Sequence, residues 1–143
     1  MNNSIAQILV ADDDPEDLFL MRMMCSELAF ADIIHFVEDG KNVLDYLEGI
    51  YEITLPELIV LDLNMPRMSG TQTLEALHHD PRFQRIPVII YSTSLNEYQR
   101  KRCMELGAKA YVIKPSTYAE GLLVMQHFHE YSKGHYSFPA LSA

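Results

Sequence analysis

Five short apolar runs separated by helix-length stretches constrain this chain more than any other feature. The runs are Ile5 to Val10, Ile33 to Val37, Leu58 to Leu61, Val88 to Tyr91 and Ala110 to Ile113. Each is long enough for a strand and too short for a buried helix. Between them, apolar residues recur at helical spacing: Leu18, Met21, Cys25 and Leu28, then Val43, Leu44, Leu47 and Tyr51, then Leu74 and Leu77 before a stop at Pro81. Asn96 to Leu106 and Tyr118 to about Tyr131 complete the helical series. Strands that are apolar throughout and joined by long crossovers belong in a parallel sheet buried on both faces. The expected fold is therefore α/β, a doubly wound five-stranded parallel sheet covered by helices on both sides.

A length of 143 residues suits one domain. Residues 1 to 131 are assigned to it. Ser132 to Ala143, without sustained periodicity, are expected to form a poorly packed tail. Charge is uneven: residues 1 to 62 hold 14 acids and two bases, the remainder six and nine, for a net charge of -9. Such a balance excludes a nucleic-acid binder that works through a basic surface. No apolar run approaches a membrane span, and Met1 to Val10 lacks the basic start and long apolar core of a secretory signal. With Cys25 and Cys103 read as reduced thiols, the expected location is cytoplasmic and away from the membrane.

Chemistry concentrates where the apolar runs end. Asp12 and Asp13 follow the first, Asp62 the third, Ser92 and Thr93 the fourth, and Lys114 with Pro115 the fifth. Each also has a plainer explanation. Asp14 suits a helix cap ahead of Pro15, Asp12 or Asp13 alone suits a solvated loop, a lone Ser or Thr satisfies backbone groups, and a lone Lys lies on the surface. Parallel sheets gather ligands beyond the carboxyl ends of their strands, however, and all of these residues fall there together. Three carboxylates at one sheet edge repel one another unless a cation is present. Hard oxygen ligands suit Mg²⁺, a carboxylate can form an acyl phosphate, and Lys114 and Ser92 can neutralise phosphoryl oxygens.

The stretches VADDDPED, VLDLNMPRMSG, IIYSTS and AYVIKP, in this order and on these elements, resemble the receiver domain of two-component response regulators. The resemblance spans residues 5 to 131. It is narrower still to the stand-alone receivers paired with phytochrome-like and other bacterial histidine kinases. It implies a flavodoxin-like architecture. By motif it implies Asp62 as phospho-acceptor, Asp13 as direct metal ligand, Asp12 as a ligand through water, and the Asn64 carbonyl as a further ligand to Mg²⁺. Ser92 is implied as the switch hydroxyl, Thr93 as its neighbour at the mouth, Lys114 as the phosphoryl ion-pair partner, and Tyr111 as the aromatic that turns inward. Pro66 and Gly70 belong to the loop after strand three, and Pro115 marks a bond that is often cis in the family.

The implied function is acceptance of a phosphoryl group from a sensor histidine kinase or a histidine phosphotransfer protein, read out by phosphorylation-dependent binding. Self-dephosphorylation is left open. Among the six histidines, His78, His79, His127 and His129 lack zinc-site spacing, so the phosphohistidine is expected on the partner. Alternatives are a phosphorelay intermediate, a small haloacid-dehalogenase-like phosphatase attacking through Asp12, and a receiver-like scaffold that is never phosphorylated. A homodimer through the last two helices and strand five is a further expectation, with Arg100, Lys101 and Arg102 facing an acidic second copy.

Overall fold

A computed structural model describes residues 7–139. Ile5 and Ala6 of the first expected strand, and positions 140 to 143 of the expected tail, lie outside the described residues. The elements run β1 (Ile8–Ala11), α1 (Pro15–Glu27), β2 (Ile34–Val37), α2 (Gly40–Ile50), β3 (Leu58–Leu61), α3 (Gly70–His78), β4 (Val88–Ser92), α4 (Glu97–Glu105), β5 (Ala110–Ile113) and α5 (Tyr118–Ser132). The strands form one sheet in the order β2-β1-β3-β4-β5, and every pairing is parallel. The first crossover from β1 runs outward to β2 and the next returns past β1 to β3, so the winding reverses between β1 and β3. A crevice opens there at the carboxyl ends.

Each strand sends alternate side chains into two cores. Leu9, Ala11, Ile59, Leu61 and Ile90 pack with Val43, Leu47, Leu74, Leu77 and Cys103 on the α2, α3 and α4 side. Ile8, Val10, Leu58, Val60 and Ile89 pack with Leu18, Met21, Met125 and Phe128 on the α1 and α5 side. Burial on both faces explains why the strands read as continuous apolar runs. Cys25 and Cys103 are buried and unbridged, on opposite sides of the sheet.

The helices start where local chemistry dictates. Asp14, Asp39, Ser69, Asn96 and Thr117 cap α1 to α5, each accepting a backbone N–H of the first turn, and Ser69 forms a reciprocal capping box with Gln72. Such caps contribute about 1 kcal/mol apiece. Pro15 occupies the first turn of α1, where its missing N–H costs nothing. The turn into β5 passes through Gly107 at φ 100°, a left-handed conformation suited to glycine.

Within the segment expected to pack poorly, Tyr136 stacks on His127 with ring centroids 4.0 Å apart, and Phe138 lies against Phe128 and Tyr131. Aromatic area compensates there for the absence of regular structure. Tyr51, expected on the second helical face, instead caps α2 and meets Phe83 edge-on.

Candidate functional site

The sheet's hydrogen-bond ladder continues one residue past three strands and so places the polar side chains. The Asp12 amide donates to the Val37 carbonyl, the Asp62 amide to Ala11, and the Lys114 amide to Ser92. Ser92 is the last residue of β4. Four side chains chosen from sequence thus stand side by side on a rigid edge.

Asp12 is 1% exposed and Asp62 8%, whereas Asp13 is exposed. One ligand oxygen from each of Asp12, Asp13 and Asp62 lies within 4.8 Å of the others, and these three residues are the metal-competent cluster among the described residues. Asp14 is not in it. Its carboxylate accepts from the Glu16 amide at 2.9 Å, so it acts as a cap.

Lys114 provides the opposing charge. Its Nζ donates to Asp12 Oδ2 at 2.5 Å and to Asp17 Oδ2 at 2.8 Å, and stands 3.8 Å from Asp62 Oδ2. Burial disfavours the ammonium, but the hydrogen bonds to Asp12 and Asp17 prevail and raise its pKa, so it stays charged. Asp62 responds in the opposite sense. Burial pushes its carboxyl up to about 6; Lys114 opposes the shift, and the neighbouring Asp12 and Asp13 add to it. Burial also raises Asp12 against the pull of Lys114. One ammonium among so many carboxylates leaves an excess of negative charge. That excess, in an all-oxygen donor set, fits a divalent hard cation, which Asp12, Asp13 and Asp62 could hold.

Around Asp62 the backbone is close-packed. The Leu63 amide donates to Asp62 Oδ1 at 2.9 Å, and the Gly70 amide to the Leu63 carbonyl at 2.9 Å. A Cβ at Gly70 would sit 2.2 Å from the Asp62 carbonyl oxygen, so the loop closes only with glycine there. Pro66 accepts from the Met68 amide. Arg67 between them holds φ at 60° and pairs with Asp39 at 2.8 Å, which ties this loop to the start of α2.

On the other side, Ser92 is buried, and its hydroxyl donates to the Ser94 carbonyl at 3.3 Å. Tyr111 is buried as well and donates its hydroxyl to the same carbonyl at 2.9 Å. Thr93 and Asn64 are exposed at the mouth. The Lys114–Pro115 bond is trans, as are all peptide bonds among the described residues.

Sequence reasoning missed Asp17, which lies in the first turn of α1 and contacts a lysine 97 residues away. Its acid character alone reads as complement to a helix N-terminus. The expectation for Arg100 is corrected. It is 8% exposed and donates to Glu97, so it is not presented to a second copy, and Arg102 faces Glu75.

Residues 8–125 match the response regulator receiver domain, and the chain belongs to that family. Among curated relatives, the probable methanogenesis regulatory protein FilR2 of Methanothrix harundinacea is 29% identical over 89% of this chain and 83% of its own. Response regulator Rcp1 of Synechocystis is 31% identical over 75% of each chain. Other relatives are longer: the chain covers 36% of the Helicobacter pylori chemotaxis protein CheV3. Among solved structures, the phosphorylated cyanobacterial phytochrome response regulator RcpA superposes with a TM-score of 0.80 at 25% identity, covering 96% of this chain and all of that one. The Mn²⁺-bound form of Rcp1 gives 0.76, at 25% identity, covering 93% of this chain and 98% of that one.

The flavodoxin-like fold is shared with these receivers. The chain is a two-component receiver domain, a class that binds Mg²⁺ at its acidic pocket, is phosphorylated on an aspartate and works with histidine kinases. No helix among the described residues is long and apolar enough to cross a membrane.

Proposed function

We propose that Asp62 is the phospho-accepting aspartate, with Lys114 stabilising the phosphoryl group and Ser92 and Tyr111 carrying the response. The observation that supports this most directly is the place of Asp62 at the β1/β3 crevice, its carboxylate 3.8 Å from Lys114 Nζ and clustered with Asp12 and Asp13. Asp12 is a poor nucleophile by comparison. One of its oxygens accepts from the Asp14 amide and the other from Lys114.

The donor, a phosphohistidine on a sensor kinase or phosphotransfer protein, presents phosphorus to Asp62. A carboxylate lone pair forms the new P–O bond, the P–N bond breaks, and its electrons return to the imidazole. Asp12, Asp13 and Asp62 would hold a Mg²⁺ ion here, which would supply positive charge to the phosphoryl oxygens. Lys114 adds a charged donor at the same oxygens, and the Leu63 amide holds the carboxylate in place. Incubation with Mg²⁺ and acetyl phosphate, followed by intact-mass and peptide mapping, should give one labile phosphoryl group on Asp62. Modification mapped to Asp12 would instead support the phosphatase chemistry.

Asp13 tests the metal. Because it is exposed and in the acidic cluster, Asp13→Ala should abolish Mg²⁺-dependent phosphorylation while leaving the metal-free fold as stable as before or more so. Unchanged phosphorylation of the variant in excess chelator would reject the ligand set.

Ser92 tests the coupling. With its hydroxyl removed, Asp62 should still accept phosphate, but beryllofluoride should shift the amides of β5 and α5 much less than in the unmodified protein. Full shifts in Ser92→Ala would reject the hydroxyl as the switch.

A phosphorylation-dependent homodimer through α4, β5 and α5 finds support in Leu95, Tyr98, Ile113 and Leu123, all exposed large apolar side chains on or beside these elements. Beryllofluoride should then raise the dimer fraction in sedimentation at fixed concentration. Tyr98→Glu should reverse the effect without lowering phosphate uptake. A monomer insensitive to the mimic would leave another protein as the reader.

A further inference from the structure

We propose that Asp17 is a positioning residue for phosphoryl transfer: with Asp12 it fixes the rotation of the Lys114 ammonium so that the remaining N–H faces Asp62. The inference rests on Asp62 as the acceptor. An ammonium carries three donors set tetrahedrally and no acceptor. Two are taken here, by Asp12 Oδ2 at 2.5 Å and Asp17 Oδ2 at 2.8 Å. The third carboxylate oxygen near Nζ is Asp62 Oδ2, at 3.8 Å, within ion-pair range but too far for a hydrogen bond. A phosphoryl group built outward from Asp62 would bring its own oxygens into that gap. Lys114 can then bind them without releasing either anchor.

With Asp12 alone the ammonium is free to rotate about a single hydrogen bond. A second anchor removes that freedom, which is how a site becomes preorganised before charge develops. The surroundings suit the task. The Lys114 side chain is 9% exposed, and Asp17 shares with it the polar end of a groove of about 290 Å³ whose walls include Met21, Met24 and Tyr91. Asp17 itself is set by α1, whose first turn is capped by Asp14 and opened by Pro15. A carboxylate serving only the helix terminus would have no need to reach Lys114.

The distinguishing comparison is Asp17→Ala against Asp17→Asn, since the amide keeps an oxygen acceptor and loses only charge. At saturating Mg²⁺ and acetyl phosphate, Asp17→Ala should lower the maximal rate of phosphate uptake about tenfold and weaken beryllofluoride binding to a similar degree. Asp17→Asn should recover most of that loss. The Mg²⁺ affinity of both should stay within about twofold of the unmodified protein, because Asp17 lies outside the ligand cluster. An independent readout is the Lys114 ¹⁵Nζ ammonium resonance, which should be visible in the unmodified protein and in Asp17→Asn and lost to exchange in Asp17→Ala. Asp17→Ser provides a second truncation if the alanine variant does not fold. Truncation that matches or exceeds the unmodified rate, or an asparagine variant as slow as alanine, would overturn the positioning role. If the unmodified protein takes up phosphate elsewhere than on Asp62, it is the acceptor assignment that falls, and the positioning role with it.

Discussion

Asp62→Asn should do two things at once: abolish phosphate uptake and make the metal-free protein more stable at neutral pH. The carboxyl of Asp62 titrates near 6 in the fold against an ordinary 3.8, chiefly because it is buried. A group that binds its proton more tightly when folded costs stability wherever it is ionised. The cost is absent below about pH 4, where both folded and unfolded chains are protonated. It grows between about 4 and 6 and is complete above that. Its full size is on the order of 3 kcal/mol. Urea denaturation in chelator should therefore show the asparagine variant more stable by about 2 to 3 kcal/mol at pH 7.5, with the difference closing by about pH 4. Saturating Mg²⁺ should stabilise the unmodified protein more than the variant, because the cation relieves the same repulsion. An Asp62→Asn protein no more stable than its parent at pH 7.5 would mean that the acidic edge carries no strain.

Lys114→Ala should produce the largest loss. Its ammonium is 9% exposed and faces Asp12, Asp17 and Asp62, so truncation leaves buried carboxylates without their counter-charge. Removing one partner of a buried pair costs roughly 3 to 5 kcal/mol. The deficit should be greatest at high pH and shrink on acidification, as the carboxyls that burial already raises take up protons. Phosphate uptake should fall as well, since no charged donor would remain on that side of Asp62. Lys114→Ala combined with Asp12→Asn should recover part of the stability but not the chemistry, and equilibrium denaturation beside mass measurement separates the two. A single variant with unaltered stability would show that solvent already screens the pair.

The fold was legible because both faces of the sheet are buried. Leu58 to Leu61 could hardly be anything but a covered parallel strand, and the strand matches the apolar run. The polar sheet edge was legible for a related reason, since Asp62, Ser92 and Lys114 each break an apolar run at its carboxyl end. What escaped was pairing and burial. Asp17 reads as an ordinary acid in a first helical turn, and only the folded chain brings Lys114, 97 residues away, to it. Arg100 reads as one of three surface bases, yet its side chain is mostly buried and pairs with Glu97 one helical turn earlier. Asp39 and Arg67, 28 residues apart, carry no sequence signal of their pairing. Tyr136 and Phe138 looked like tail residues because aromatic packing leaves no periodic trace.

The carbonyl of Ser94 receives both Ser92 and Tyr111. A hydroxyl has one proton to give, so when Ser92 turns its own toward a phosphoryl oxygen, the carbonyl is left to the tyrosine alone. On the role proposed for Ser92, a link from the acidic pocket to Tyr111 through this carbonyl would run through main chain, whichever residue occupies position 94. Side-chain scanning would pass over it in silence. Replacing the amide that follows Ser94 with an ester, which weakens that carbonyl as an acceptor and alters no side chain, is the perturbation to which such a relay should answer.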